Sequence, residues 1–264
     1  MNNISVAIPS FNTSEFIENA IKPLFNSKYV NEIVICDDCS KSDELRKLED
    51  IIIELKKNTN TKIRLYKNKS NIGIFENKNK LIDLCSNDLI YVLDADNIPQ
   101  NNLDKIIEKI FITKNKNYIY VPSKIYQFKK FHKIAKFLRF INNKYIVRFS
   151  KENKLIDKNT VIDFITNGTR YTIDKHLMWV LSVSNFFIYK SCYEEYVSKK
   201  YSNTKFNMSA DFLGICFFYL ENDGKIMLLK NFYHFHRKRK DSAALMSSKS
   251  FFESTEFFKA KFLE

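Results

Sequence analysis

Four apolar runs in the first hundred residues each end in small polar or acidic residues, and this repeat restricts the fold more than any other feature. Ile4–Ile8 is followed by Pro9, Ser10 and Asn12, and Glu32–Cys36 by Asp37 and Asp38. Thr61–Tyr66 is followed by Asn71 and Gly73, and Leu89–Leu93 by Asp94 and Asp96. Short apolar runs bounded by turn residues read as buried strands. Helical patterns lie between them: from Thr13 or Ser14 to about Lys28, from Ser40 to about Lys57, and over Asn77–Cys85 and Leu103–Ile110. In the second of these, Leu45, Leu48, Ile52 and Leu55 share one stripe. Tyr118–Val121 reads as a fifth strand, and Pro9 is expected to stop the first.

Strands that alternate with helices predict an α/β fold: a Rossmann-like, mostly parallel central sheet flanked by helices. Ligands of such sheets bind beyond the carboxyl ends of the strands. The four polar strand ends therefore point at one crevice, and all carry oxygen or amide groups.

Composition narrows the class further. The chain has 264 residues, a 45% hydrophobic fraction and only four Gly and four Pro, which excludes low-complexity and collagen-like material. The formal charge of +13 favours polyanionic partners: nucleic acid, anionic membrane or phosphorylated small molecules. Cys36 and Cys39 have CxxC spacing, but no second pair follows, so reduced thiols are expected rather than a zinc site. The N-terminus lacks a signal-peptide pattern, and no stretch approaches the ~20 apolar residues of a membrane span. A cytoplasmic protein is expected.

Asp94-Ala95-Asp96-Asn97 is the sharpest chemical signal. Two carboxylates just past a strand can hold Mg²⁺ or Mn²⁺, hard cations that also bridge substrate phosphates. The same residues can also serve simply as a strand-ending turn.

With Ile8-Pro9-Ser10-Phe11-Asn12, Glu32–Ser40, Asn71-Ile72-Gly73 and Asn77-Lys78-Asn79, this motif resembles the nucleotide-binding half of family-2 glycosyltransferases, which have the GT-A fold. The likeness covers about residues 4–121 and, more loosely, 176–236. It implies one GT-A domain over 1–264. Residues 1–121 would bind a nucleotide sugar, about 122–240 would form an acceptor-binding half with a helical extension, and 241–264 would be a helical tail.

The resemblance also implies roles. Pro9, Ser10, Asn12, Asp37, Asp38, Asn71, Gly73, Lys78, Asp94, Ala95, Asp96 and Arg237 would contact the donor, with Asp38 at uracil and Asp94 near the ribose. Asp96 would hold the divalent metal, Mn²⁺ or Mg²⁺, joined by Asp94 or His236. Cys39 stands where the family often has Gly, and Lys78 where it usually has Arg. Lys keeps the charge but loses the planar fork.

The second half matches less closely. Ser184–Ile188, Tyr189-Lys190 and Glu194-Glu195 resemble the start of the acceptor side. Ser209-Ala210-Asp211-Phe212 resembles the family's acidic pair, with Ala210 in place of the first acid. Asp211 is expected to be the base of an inverting transfer, or alternatively a helix cap. In Tyr233–Lys240, His236 could complete a metal shell, or Arg237 and Lys238 could hold phosphates; a solvated basic strand is the other reading. His176 and Trp179 are acceptor-sugar candidates, or core.

Phe128–Ile141 places Phe128, Phe131, Ala135 and Leu138 on one stripe with lysines opposite. It reads as a basic amphipathic helix that lies on anionic membrane or packs against the fold, and Phe251–Phe262 is similarly ambiguous.

The expected function is transfer from a UDP-sugar to a glycan or lipid-linked acceptor such as lipopolysaccharide or capsule. Peripheral contact with anionic membrane fits that role, and nucleic acid is not an expected partner. Two rivals remain at this point. One is a nucleotidyltransferase, which would usually show a Gly-rich loop after the first strand. The other is a non-enzymatic binder of membrane or nucleic acid with no use for Asp94 or Asp96.

Overall fold

A computed structural model describes residues 2–128, 146–148, 150–167, 185–199, 211–237, 256–257 and 260–263. The N-terminal half alternates as its sequence predicts. Strand β1 (Ile4–Ser10) leads to α1 (Ser14–Ile21), and β2 (Val30–Asp37) to α2 (Ser42–Lys56). Strand β3 (Lys62–Lys67) leads to α3 (Ile74–Leu84), and β4 (Leu89–Val92) and the short β5 (Ile98–Pro99) to α4 (Leu103–Thr113).

Several boundaries differ from the sequence expectations. Pro9 does not stop β1, which continues to Ser10, because β1 is extended there between β2 and the turn after β4. Helix α1 ends at Ile21, and a 3₁₀ segment Lys22–Asn26 follows. Pro23 explains this: it lacks an N–H and pushes its predecessor away from α geometry. Helix α3 starts at Ile74, on Gly73, whose φ of 92° is open to glycine.

Beyond α4 come β6 (Tyr118–Phe128), β7 (Ile146–Arg148), β8 (Lys154–Ile156) and α5 (Lys158–Asn167). These are followed by β9 (Phe186–Tyr189), α6 (Lys190–Tyr193) with a π-turn over Glu194–Ser198, α7 (Asp211–Glu221) and β10 (Lys225–Arg237). Strand β6 runs seven residues past the expected Val121 and takes Phe128 with it. The rest of the expected amphipathic helix, from Lys129, lies outside the described residues, as do His176 and Trp179. Of the expected helical tail, residues 256–257 and 260–263 are helical.

These strands form one ten-stranded sheet in the order β3-β2-β1-β4-β9-β6-β10-β5, with β7 on β6 and β8 on β10. The β3-β2-β1-β4 portion is parallel, as predicted. Strand β9 then pairs antiparallel with β4 and β6, and β10 pairs antiparallel with β5, so strands of the second half of the chain join those of the first.

Both faces of the sheet are packed. On one lie Ile17, Ile21, Leu48, Ile52, Ile106 and Ile107 from α1, α2 and α4. On the other lie Phe75, Leu81 and Ile82 of α3 with Phe212, Ile215 and Tyr219 of α7. In α2 the predicted stripe is borne out: Leu48, Ile52 and Leu55 are buried and Leu45 packs against them. Helix α7 is buried along nearly its whole length, so its N-terminus is held firmly against α3. That contact sets the site described next.

Candidate active site

The carboxyl ends of β1, β2 and β4 carry the polar residues that the sequence singled out. Asp37 ends β2 fully buried and ties two loops: its carboxylate accepts from the Ser40 amide at 2.9 Å and the Ser40 hydroxyl at 2.5 Å, and from Ser10 Oγ at 3.4 Å. Asn12, in left-handed geometry, joins the same turn, since its amide donates to Ser40 Oγ and its Oδ1 accepts from the Lys41 amide. Cys39 sits beside it with φ 63°, which accounts for a Gly at this position in the resembling family.

Asp38 is buried and clamps the 71–73 loop. Its carboxylate accepts from the amides of Ile72 (2.9 Å) and Gly73 (3.0 Å) and from Asn68 Nδ2 (2.9 Å). Asn71 Nδ2 donates to the Asp38 carbonyl. Asp38, Asn71 and Gly73 are therefore brought together, each part of one hydrogen-bonded loop pair. A carboxylate has about four lone-pair sites, so Asp38 keeps room for a further donor.

The turn after β4 carries Asp94, Ala95 and Asp96. The Leu93 amide still bonds Ala7, and the Asn97 amide closes the turn on the Asp94 carbonyl at 3.0 Å. Arg237, near the end of β10, meets this turn from the far side: its amide donates to Asn97 Oδ1 and its Nε to the Asp96 carbonyl at 3.4 Å. The Arg237 guanidinium also lies 4.4 Å from the Phe16 ring centroid, a cation–π contact.

Lys78 occupies the centre. It is on α3 with 0% side-chain exposure, and its ammonium pairs with Asp211 Oδ2 and, at 3.3 Å, with Asp94 Oδ1. Lys78 and Asp211 are 133 positions apart. Burial alone would push the lysine pKa down; the two carboxylates outweigh that and hold it above its ordinary value. Lys78 is thus charged. Its side chain is fully enclosed between these two carboxylates. Asp211 is the first residue of α7, where the helix dipole also favours a negative charge.

His234 and His236 share a face of β10, with ring centroids 6.0 Å apart. Burial, and after it His236, pushes the His234 pKa well below 6.5, so this ring is neutral. Among the described residues, no three His, Cys, Asp or Glu side chains converge as a metal-binding group. Asp94, Asp96 and His236 do not form a three-ligand shell, because the Asp94 carboxylate is turned to Lys78. The hard carboxylate oxygens of Asp94 and Asp96 still fit Mg²⁺ or Mn²⁺, which commonly take one or two protein carboxylates and complete their shell with other oxygens.

The sequence reading missed the amides that hold this arrangement. Asn185 Oδ1 accepts from the Asp94 amide at 2.9 Å and from Asn97 Nδ2 at 3.4 Å. Asn68 and Asn77 bond each other beneath Asp38, and Asn77 Nδ2 reaches the Cys36 carbonyl. An Asn next to a strand is common, and nothing in its spacing announces such a role.

The family model described as "Glycosyl transferase family 2" matches residues 5–177, well over half of the chain, and the chain belongs to that family. Its fold is the GT-A fold. Among solved structures, S. aureus TarS 1–349 in complex with UDP aligns with a TM-score of 0.61 and 15% identity, over 98% of this chain and 65% of that one. The same protein in complex with UDP-GlcNAc gives 0.62 and 14%, over 97% and 65%. GalNAc-T7 with UDP, GalNAc and Mn²⁺ gives 0.61 and 15%, over 97% of this chain and 48% of that one. The chain thus spans somewhat under two thirds of the first of these relatives. A search of curated proteins found no match.

Proposed function

We propose that the chain transfers a sugar from a UDP-sugar to a hydroxyl of a glycan or lipid-linked acceptor, with inversion and with Asp211 as general base. One observation carries this reading. Asp94, just past the end of β4, and Asp211, at the start of α7, meet on either side of a single buried lysine. A donor-side turn and an acceptor-side carboxylate are thereby held at one point.

The chemistry then follows from the chain's own groups. Asp211 takes the proton of the acceptor hydroxyl. The oxygen bonds to the anomeric carbon as the bond from that carbon to the diphosphate breaks, and the electron pair leaves with the diphosphate. Lys78 fixes Asp211 in place for this. Arg237, cationic and stacked on Phe16, faces the turn where the diphosphate would lie. Asp96, with Asp94 or His236, would hold a divalent metal that supplies neutralisation of the departing diphosphate. Asp37, Asp38, Asn12, Asn71 and Gly73 shape the loops around the base. The complexes of TarS with UDP and UDP-GlcNAc, and of GalNAc-T7 with UDP and Mn²⁺, support a uridine nucleotide and a metal. Bacterial surface polysaccharide synthesis is the setting proposed for the acceptor. No described helix is long and apolar enough to cross a membrane.

A panel of UDP-, GDP-, CMP- and dTDP-linked sugars tests the reading, with water as the slow acceptor. The expected result is release of UDP alone, dependent on Mn²⁺ or Mg²⁺ and abolished by chelator. Pyrophosphate release from a nucleoside triphosphate would instead indicate a nucleotidyltransferase. No release, with salt-sensitive binding to anionic liposomes or nucleic acid, would favour a polyanion binder.

A further inference from the structure

The sheet has a second opening at the edge opposite the crevice, where β1 and β4 begin. Ile4 of β1 pairs there with Leu89 of β4, and Leu89 with Tyr189, the last residue of β9. Over these strand ends lies an open hollow of about 330 Å³, walled by Asn2 and Asn3, by Asn87 and Asp88, and by the rings of Phe111 and Tyr189. Small-molecule sites span roughly 300–1,000 Å³, so the hollow has room for one small ring. The lengths of β1 and β4 separate it from Ser10 and Asp94.

Several polar groups of the wall are unfilled. Tyr189 is 6% exposed, and its hydroxyl has no hydrogen-bond partner among the described residues. That hydroxyl is only partly enclosed, unlike the unpaired Tyr91 and Tyr219 hydroxyls, which are sealed in the core. Burial, and after it Asp88, pushes its pKa up to about 12, so it stays a neutral donor at ordinary pH. The Ser5 hydroxyl donates to Glu32, so the Asn87 amide must face Ser5 with Nδ2, which also reaches Asn31 Oδ1. Asn87 Oδ1 is left as an acceptor. Asp88 accepts from Lys116 at 2.6 Å and from the Ser191 amide at 3.0 Å, and a carboxylate with about four lone-pair sites can accept more.

Charge then selects the ligand. The carboxylate of the wall is already matched by Lys116, and the lining residues include no cation, so a phosphate would meet no partner. A metal ion would meet a single carboxylate. Uncharged donors and acceptors beside aromatic rings suit a neutral molecule with hydroxyls on its rim and C–H groups on its faces, which is the chemistry of a sugar ring.

We propose that this hollow is a second sugar site, apart from the catalytic crevice. It takes one neutral sugar unit through the Tyr189 hydroxyl as donor, Asn87 Oδ1 and Asp88 as acceptors, and the Phe111 ring. A free sugar and a unit of a glycan chain present the same groups to it. The site stands independently of the donor-site reading above.

Saturation-transfer NMR titrations with glucose, galactose, N-acetylglucosamine and a linear trisaccharide of each test this, with and without saturating UDP and Mn²⁺. Tyr189→Phe removes only the hydroxyl, and Asn3→Phe fills the hollow from its half-exposed rim; circular dichroism verifies that both fold. The wild type is expected to bind at least one of these sugars equally well with and without UDP. Affinity falls about two- to tenfold in Tyr189→Phe, the worth of one hydrogen bond, and binding is lost in Asn3→Phe. A trisaccharide that binds more tightly than its monosaccharide identifies a glycan chain as the occupant, and equal affinities identify a free sugar. Failure of the wild type to bind any of them, unchanged affinity in either variant, or displacement of the sugar by UDP would overturn the proposal. A chain that binds the sugar as expected but no UDP would overturn the donor-site reading alone.

Discussion

Asp211→Asn lowers the rate of UDP release by about a hundredfold to ten-thousandfold, the range spanned by a positioned general base. Asn has almost the shape of Asp but cannot take a proton from a hydroxyl. The loss falls on the rate of the chemical step: UDP affinity stays within about threefold of wild type, because the nucleotide is held by the turn after β4 and the loops after β1 and β2. Single-turnover kinetics together with UDP titration separate the two. A variant that turns over normally would move the base elsewhere. A variant that instead loses UDP affinity with an unchanged chemical step would make Asp211 a donor contact.

Lys78→Met produces the largest loss of stability. The side chain is fully buried, and its removal leaves Asp94 and Asp211 facing each other without the ammonium, both of them largely or partly shielded from water. Breaking a buried ion pair by removing one partner costs about 3–5 kcal/mol. Asp94 retains 23% side-chain exposure and Asp211 12%, so water relieves part of the strain and the lower end of that range is expected. For a chain of this size that is a fall of roughly 6–12 °C in melting temperature. Denaturant unfolding gives the free energy, and turnover falls with it. The double variant Lys78→Met with Asp211→Leu distinguishes charge from packing. It regains at least half of the lost stability, since an apolar pair of suitable volume can replace a buried ion pair, and regains no turnover. If Lys78→Met is as stable as wild type, the ion pairs contribute nothing and the lysine is not the strut described.

Much of this site was legible in the sequence. The parallel strands, their order of appearance and the polar residues at their ends followed from apolar runs broken by Asp, Asn and Gly, because those runs are local and the strand-end rule is general. The family assignment followed from several such motifs in order. What lay beyond reach was non-local. Nothing in the spacing of Lys78 says that it is sealed from solvent, since Lys on a helix usually reaches water; its burial depends on α7, which arrives more than a hundred residues later. The antiparallel β9 at the centre of the sheet is likewise invisible to a pattern that only counts alternation. Asn185 is ordinary by type and becomes informative only through the amide it meets. The boundary errors were smaller and have local causes, as with Pro23, which ends α1 early, and β6, where Pro122, Ser123 and Lys124 interrupt the apolar run while β10 continues to pair with it.

The most direct test of the central claim is UDP binding measured by thermal stabilisation, in Mn²⁺ and in chelator, for wild type and Asp96→Ala. The expected result is a rise in melting temperature with UDP that requires Mn²⁺ in the wild type and is lost in Asp96→Ala, while the unliganded variant melts close to the unliganded wild type. An equal rise in wild type and Asp96→Ala, or no rise with any nucleotide, would contradict it.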